Sequence, residues 1–207
     1  RAIEKRGGGQ MDLLELLDQI ESAVGQIREA TEYPMLRETY FESSVDEYNK
    51  FCVALDTLED SVLAIRDYCQ AGFGGREGES YLRLYGLFQA VFLQQDSIRS
   101  LWQVSFEEEF PAPAINSAWK IIREIRNDAT GHPIEVTRNT EVRRTFVSRA
   151  HLERGKLFLV TYERNSNQDR QQEYDPDELL SSYFLESIPS LLKLAGKVRN
   201  RFPLPAD

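Results

Sequence analysis

The chain has 207 residues, 41% of them hydrophobic, and a formal net charge of -9. That length suffices for one domain with a substantial core, and the acidic balance argues against a generally nucleic-acid-binding surface. Apolar clusters are short and interrupted by charges, so the sequence predicts no membrane span and no secretory signal. The expected compartment is therefore the cytoplasm.

The amino-terminal residues are expected to lie outside the folded domain. Residues 1–10 include three consecutive glycines and are expected to be a flexible leader or a leftover of cloning. Residues 11–207 are expected to form a single helical domain.

Cys52 and Cys69 are predicted to lie on one helix, roughly 25 Å apart, which is beyond disulfide reach. With only His132 and His151 besides, the sequence has no zinc-ligand spacing, and no metal or other cofactor is expected.

Helical periodicity dominates the first two thirds of the chain. Apolar residues from Leu13 to Ile27 predict a helix that ends before Pro34. A second helix, capped by Ser43, Ser44 or Asp46, is predicted to stop at Gly72. A third helix is predicted over residues 80–106. Its apolar face comprises Leu84, Leu87, Phe88, Val91, Phe92, Ile98 and Trp102, interrupted by the polar residues Gln95 and Asp96.

A fourth helix is predicted from Asn116 or Ser117 onward, with a buried side formed by Ala118, Trp119, Ile122, Ile125 and Ala129. Gly131, followed two residues later by Pro133, predicts its end. Glycine can adopt the left-handed closing conformation, and proline cannot continue the helix.

Beyond Pro133 the apolar residues recur with a period of two, which is typical of β-strands. Residues 145–150 and 156–162 predict paired strands, residues 134–136 predict a third short strand, and residues 165–172 are expected to be mobile. A last helix is predicted to begin near Asp175-Pro176, with an apolar face that includes Leu191 and Leu192 and a kink at Pro189. The fold class is thus mainly α: an up-and-down bundle of four to five helices, with a small β-hairpin at about 134–163 before the last helix.

Charge is unevenly distributed along the chain. Residues 11–70 hold 14 acidic and 4 basic residues, whereas residues 134–170 hold 8 basic and 5 acidic residues. A polyanion is therefore expected to approach near the second segment, with Arg138, Arg143 and Arg144 as candidate contacts. The alternative is that these are solvated strand and turn positions. His151, near the predicted turn, is expected to be a solvated histidine.

The stretch from Arg126 to Pro133 concentrates functional groups at a predicted helix end. On an unbroken helix Arg126 and His132 would lie about 240° apart, but a sharp turn at Gly131 brings the imidazole back toward the guanidinium. Arginine can bind a phosphate in a fork, and histidine can transfer protons near neutral pH. In RNA the 2′-hydroxyl supplies a nucleophile without metal. The alternative is that both side chains cap the carbonyls at the helix C-terminus.

This stretch resembles the motif of the HEPN superfamily, which is arginine, four to six residues, then histidine, with Asn, Asp or His usually following the arginine. Arg126, Asn127 and His132 match it. Met11–Leu101 is also similar to such domains in its helix lengths and in the segment Tyr81–Gly86, so the resemblance covers nearly the whole chain. It implies a HEPN-like helical domain over residues 11–207.

The resemblance also implies a function. HEPN enzymes are metal-independent endoribonucleases, often toxins or antiviral effectors, that pair two protomers around one cleft. By this analogy Arg126 and His132 are catalytic, and Asn127 orients the site. Asp96, a polar residue on an apolar face, is a further candidate that can pair with Arg99 or steer Arg126. The implied partners are a second copy, an RNA substrate, and an antitoxin or a nucleotidyltransferase-type protein.

Two other hypotheses stay open. A non-catalytic HEPN-like dimerisation or binding module is favoured by the acidic first helices, which repel RNA. An unrelated helical interaction protein would not bring Arg126 and His132 together.

Overall fold

The computed structural model describes residues 12–33, 35–74, 76–138, 141–164, 166 and 169–203, except for the side chains of residues 77, 138 and 141. The predicted leader at residues 1–10 lies outside this part. The helices are α1 Leu13–Thr31, α2 Leu36–Tyr40, α3 Val45–Ala71, α4 Glu77–Phe106, α5 Ala118–Ile125, α6 Arg149–Leu152 and α7 Pro176–Arg201. The strands are β1 Val136–Arg138, β2 Glu141–Val147, β3 Leu157–Glu163 and β4 Arg170–Tyr174. The predicted mainly α fold is confirmed.

The four long helices form a closed arrangement around one apolar core. α1 packs on α3, α3 on α4, α4 on α7, and α7 returns to α1, while α5 lies against α4 and α7. Within this core, Gln94 is fully buried. It donates to Ser61 Oγ at 3.3 Å and accepts from the Tyr183 hydroxyl at 2.9 Å. These bonds satisfy polar groups that would otherwise be costly to bury, and they join α3, α4 and α7.

Helix starts follow the local signals in the sequence. Ser44 and Ser117 accept hydrogen bonds from Glu47 N and Lys120 N at the first turns of α3 and α5. Asp175 caps α7 and also binds the Lys156 ammonium. Burial raises the pKa of Asp175, but the bonds from Lys156 and the α7 backbone outweigh it and hold the pKa below its ordinary value.

Some predicted elements differ in the structure. The sheet has the order β1-β2-β3-β4, with all neighbours antiparallel, so it is larger than the predicted hairpin. β2 contains the first three residues of the predicted strand 145–150 and ends at Val147, and α6 takes up the last two. β4 contains part of the segment that was expected to be mobile, because pairing with β3 supplies its backbone with hydrogen-bond partners despite its polar side chains.

The helices differ from the prediction at α2 and on one face of α7. The short α2 was not predicted, and it precedes Phe41, which packs on Phe202 beside α7. Leu192 is half exposed, so its assignment to the apolar face of α7 was wrong. α7 continues through Pro189 as one helix, and the kink there stays a prediction. Both cysteines lie on α3 and are free, as predicted.

Candidate functional site

The candidate site is built on a π-helical turn. α5 passes directly into a π-helix over Arg126–Gly131, which closes with a 2.9 Å hydrogen bond from His132 N to Asn127 O. The Thr130 hydroxyl supports the turn by donating to Arg126 O at 2.9 Å. Single π-helical turns are uncommon and are found frequently at functional sites. The helix therefore ends where the sequence predicted, but by a different geometry.

Gly131 has a different role from the predicted one. Its backbone is not among the positive-φ glycines, so the expected left-handed closure was wrong. A Cβ atom at this position would lie 2.9 Å from Nη1 and 3.1 Å from the carbonyl oxygen of Arg126. A side chain there would push the guanidinium of Arg126 out of this position. Glycine therefore allows the Arg126 guanidinium to fold back against this backbone, one residue before His132.

The Arg126 guanidinium is half-buried and is held by neutral groups. Its Nε and Nη2 donate to Gln89 Oε1 at 3.1 and 3.0 Å, and its Nη1 donates to Asn127 Oδ1 at 3.1 Å. Its Cζ lies 4.2 Å from the ring centroid of Phe92. Among the residues that the structure describes, no carboxylate pairs with it, so its positive charge is not neutralised by an acidic side chain.

Arg123 provides a contrast on the same helix face. Its Cζ also lies 4.2 Å from the Phe92 centroid, but its Nη2 forms a 2.8 Å ion pair with Asp96. Its Nη1 donates to Gln95 Oε1 at 3.3 Å, and Gln95 in turn donates to Trp119 O. One ring thus carries two guanidiniums, and an acidic side chain neutralises only that of Arg123.

His132 is exposed and directly follows the π-helical turn. Across the described part of the chain, no hydrogen bond or ring contact engages its imidazole. Pro133 O accepts a 3.0 Å bond from Thr145 N, which fixes the backbone after His132 to β2. The carbonyl-capping alternative is not observed, because Arg126 donates to side-chain oxygens and the imidazole donates to none of the described groups.

The two supporting candidates differ in where they lie. Asn127 contacts Arg126 directly, which suits the orienting role that the resemblance implies. Asp96 pairs with Arg123 rather than with the expected Arg99 or Arg126, because α5 places the Arg123 guanidinium beside it. Asp96 therefore has no described contact with Arg126, although Arg123 and Arg126 both pack on the Phe92 ring.

The three candidate RNA contacts do not form one surface. Arg143 and Arg144 are neighbours on β2, so their side chains point to opposite faces of the sheet. Arg143 lines a small cleft between α5 and the sheet and approaches Glu163 at 3.5 Å. Arg144 pairs with Glu135 at 2.8 Å on the other face. The side chain of Arg138 lies outside the described residues.

The second histidine has structural contacts. His151 Nδ1 lies 2.8 Å from Ser148 Oγ, and its ring stacks on Phe158 with centroids 4.3 Å apart. The expectation of a solvated histidine was therefore wrong, since α6 folds this residue over the sheet.

Sequence reasoning missed the residues that hold Arg126. Phe92 was assigned to the apolar face of α4, and neither Gln89 nor Arg123 was identified. One signal was present: Arg123 and Arg126 are three residues apart, which places them on one face of a helix. Their shared partner on α4 depends on how two helices pack, which spacing along one helix does not reveal.

Comparison with known proteins identifies no similar family, protein or structure. Searches against protein-family models, curated proteins and solved structures each return no match. Among the described residues, no group of three or more His, Cys, Asp or Glu side chains is placed to hold a metal ion. None of the described helices combines the length and apolar character needed to cross a bilayer.

Proposed function

We propose that this protein is a metal-independent endoribonuclease of the HEPN type, with Arg126 and His132 as its catalytic residues. The observation that carries the proposal is the environment of Arg126. Its half-buried guanidinium is oriented by neutral oxygens and packed against Gly131, immediately before an exposed histidine. A fixed cation on the turn that leads into an exposed imidazole suits a phosphodiester substrate.

Arg126 contacts the scissile phosphate in this mechanism. The three hydrogen bonds to Gln89 and Asn127 use three of its donors, and a guanidinium has five N–H groups. The remaining donors bind phosphate oxygens, and the full charge stabilises the extra negative charge of the transition state. Asn127 and Gln89 keep the guanidinium from rotating away.

His132 transfers the proton. As general base it removes the proton of the 2′-hydroxyl, whose oxygen attacks the adjacent phosphorus while the 5′-oxygen leaves. The bond formed is O2′–P, the bond broken is P–O5′, and no water is consumed in this step. The products are a 2′,3′-cyclic phosphate and a 5′-hydroxyl.

A second copy of the chain completes the site in this proposal. One exposed imidazole supplies either the base or the acid, whereas the reaction needs both. A two-fold axis that brings two Arg126/His132 pairs to one cleft supplies the second group. The setting that the HEPN resemblance implies is toxin–antitoxin or antiviral defence in the cytoplasm, with an antitoxin or a nucleotidyltransferase-type protein as partner.

The alternative is a non-catalytic HEPN-like dimerisation or binding module that acts with a partner protein. The observation that favours it is the acidic character of the first helices, which extends over α1 and α3. Acidic surfaces repel RNA, and the repulsion weakens as salt rises. This alternative predicts dimerisation or partner binding with no RNA cleavage under any salt condition.

A cleavage assay without metal tests the proposal. We expect the purified protein to cut a labelled single-stranded RNA in excess EDTA and to leave a DNA of the same sequence intact, because DNA lacks the 2′-hydroxyl nucleophile. Cleavage of the DNA, or complete loss of RNA cleavage in EDTA, would contradict the mechanism. Intact RNA at both low and moderate salt would favour the binding module.

A further inference from the structure

The face of the sheet that points away from α5 carries an exposed aromatic pair. We call it the outer face. It presents Phe146 of β2 and Tyr162 of β3, which are 46% and 44% exposed. Their rings are stacked, with centroids 6.0 Å apart and planes inclined by 24°. Two exposed aromatic rings that contact each other form a contiguous apolar patch, and such patches can mark interaction sites.

Strand register brings these rings together. Phe146 lies opposite Val160, and Arg144 lies opposite Tyr162, so all four residues share the outer face. Val160, opposite Phe146 on this face, is buried. The inner face, by contrast, carries the buried threonines Thr145 and Thr161, whose hydroxyls bond each other at 3.0 Å. In the described part of the sheet, the stacked aromatic pair therefore lies on the outer face.

Two arginines lie at the Tyr162 end of the outer face. The guanidiniums of Arg144 and Arg164 share the single carboxylate of Glu135, at 2.8 and 3.8 Å. Within this group of three side chains, two cations therefore face one anion. Glu173 lies opposite Phe158, nearer the other end of β3. In a chain of net charge -9, this local excess favours a negatively charged occupant.

We propose that the outer face binds single-stranded RNA, with bases stacked on Phe146 and Tyr162 and phosphates contacted by Arg144 and Arg164. Bases stack on aromatic side chains with little sequence preference, and arginines along the path contact the backbone. This inference rests on the proposed function, because it identifies the surface that holds the RNA substrate.

The position of the face suits that role. Glu135, which pairs with both arginines, is three residues after His132, and three extended residues span at most about 10 Å. RNA bound across Phe146 and Tyr162 therefore reaches His132 within a few nucleotides. The backbone between His132 and Glu135 is held against β2, because Thr145 N donates a hydrogen bond to Pro133 O.

Binding to a labelled RNA tests the inference. The protein carries His132→Ala to prevent cleavage, and the probe is a fluorescent 15-nucleotide oligouridine followed by anisotropy at low salt. We expect the double variant Phe146→Ala/Tyr162→Ala to raise the Kd about 25-fold or more, since each lost stacking contact weakens binding at least about fivefold. The ring-preserving variant Phe146→Tyr/Tyr162→Phe is expected to bind like its parent.

Controls separate stacking from folding and from catalysis. Leu63→Ala/Leu82→Ala removes two exposed side chains of α3 and α4 and should leave the Kd within twofold. A thermal melt of each variant shows whether it is folded. Equal RNA affinity of the alanine and ring-preserving variants would overturn the inference, as would the absence of RNA binding in the parent. Failure of the proposed function is seen separately, as RNA left intact by the unsubstituted protein or as RNA cleavage that persists in His132→Ala.

Discussion

Arg126→Ala and His132→Ala are each expected to reduce the rate of RNA cleavage by at least about 100-fold, while the protein stays folded. Removing an oriented cation that stabilises transition-state charge costs about 10²–10³ in rate, and removing a general base costs about 10²–10⁴. The measurement is single-turnover cleavage of a labelled RNA, with circular dichroism and a thermal melt to confirm folding. Neither side chain is needed for the apolar core, because Arg126 is half-buried and His132 is exposed.

Each variant has a matched control in the same chain. Arg123 lies over the same Phe92 ring as Arg126, but Asp96 neutralises it. His151 is the other histidine and has its own contacts with Ser148 and Phe158. Arg123→Ala and His151→Ala are expected to keep cleavage within about tenfold of the parent. Equal losses in Arg123→Ala and Arg126→Ala would show that the arginines act only by packing on the ring.

Gln89→Glu is expected to abolish cleavage without lowering thermal stability. The new carboxylate occupies the position of the amide oxygen that accepts from Arg126 Nε and Nη2 at 3.1 and 3.0 Å. It therefore keeps the orientation of the guanidinium and forms a fork-like ion pair with it. Because the charge of Arg126 is then neutralised, we expect cleavage to fall at least about 100-fold, while the melting temperature is unchanged or higher.

Gln103→Glu is the control for this substitution. Gln103 is also on α4, and its Oε1 accepts a 2.7 Å bond from the Lys50 ammonium, so the chemical change is the same beside a different cation. Its cleavage rate should equal that of the parent. If Gln89→Glu also cleaves at the parental rate, the uncompensated charge of Arg126 has no part in catalysis. A purely structural Arg126 predicts that outcome.

The sequence predicted the parts of the fold that are decided locally. Ser117 and Asp175 cap helices because their short polar side chains reach the free N–H groups of the next turn. The buried faces of α1, α3 and α5 follow from apolar spacing in the same way. β4 was not predicted, because its polar residues show no alternation and its pairing depends on the neighbouring β3.

The site was predicted only in part, because some of its residues meet only through packing between different helices. Arg126, Asn127 and His132 are adjacent in sequence, so a motif could identify them. Their arrangement depends on a π-helical turn, for which the six residues from Arg126 to Gly131 carry no familiar local signal. Gln89 and Phe92 reach Arg126 from another helix, 37 and 34 positions earlier in the chain. Such contacts are determined by how α4 and α5 pack, which periodicity does not define.

The central claim is that Arg126 and His132 direct the 2′-hydroxyl of RNA onto the neighbouring phosphate. The most direct measurement is mass spectrometry of the fragment ends after cleavage in EDTA. The mechanism predicts a 2′,3′-cyclic phosphate on the upstream fragment and a 5′-hydroxyl on the downstream fragment. A 3′-hydroxyl with a 5′-phosphate would show that water attacks the phosphorus instead, and would contradict the claim.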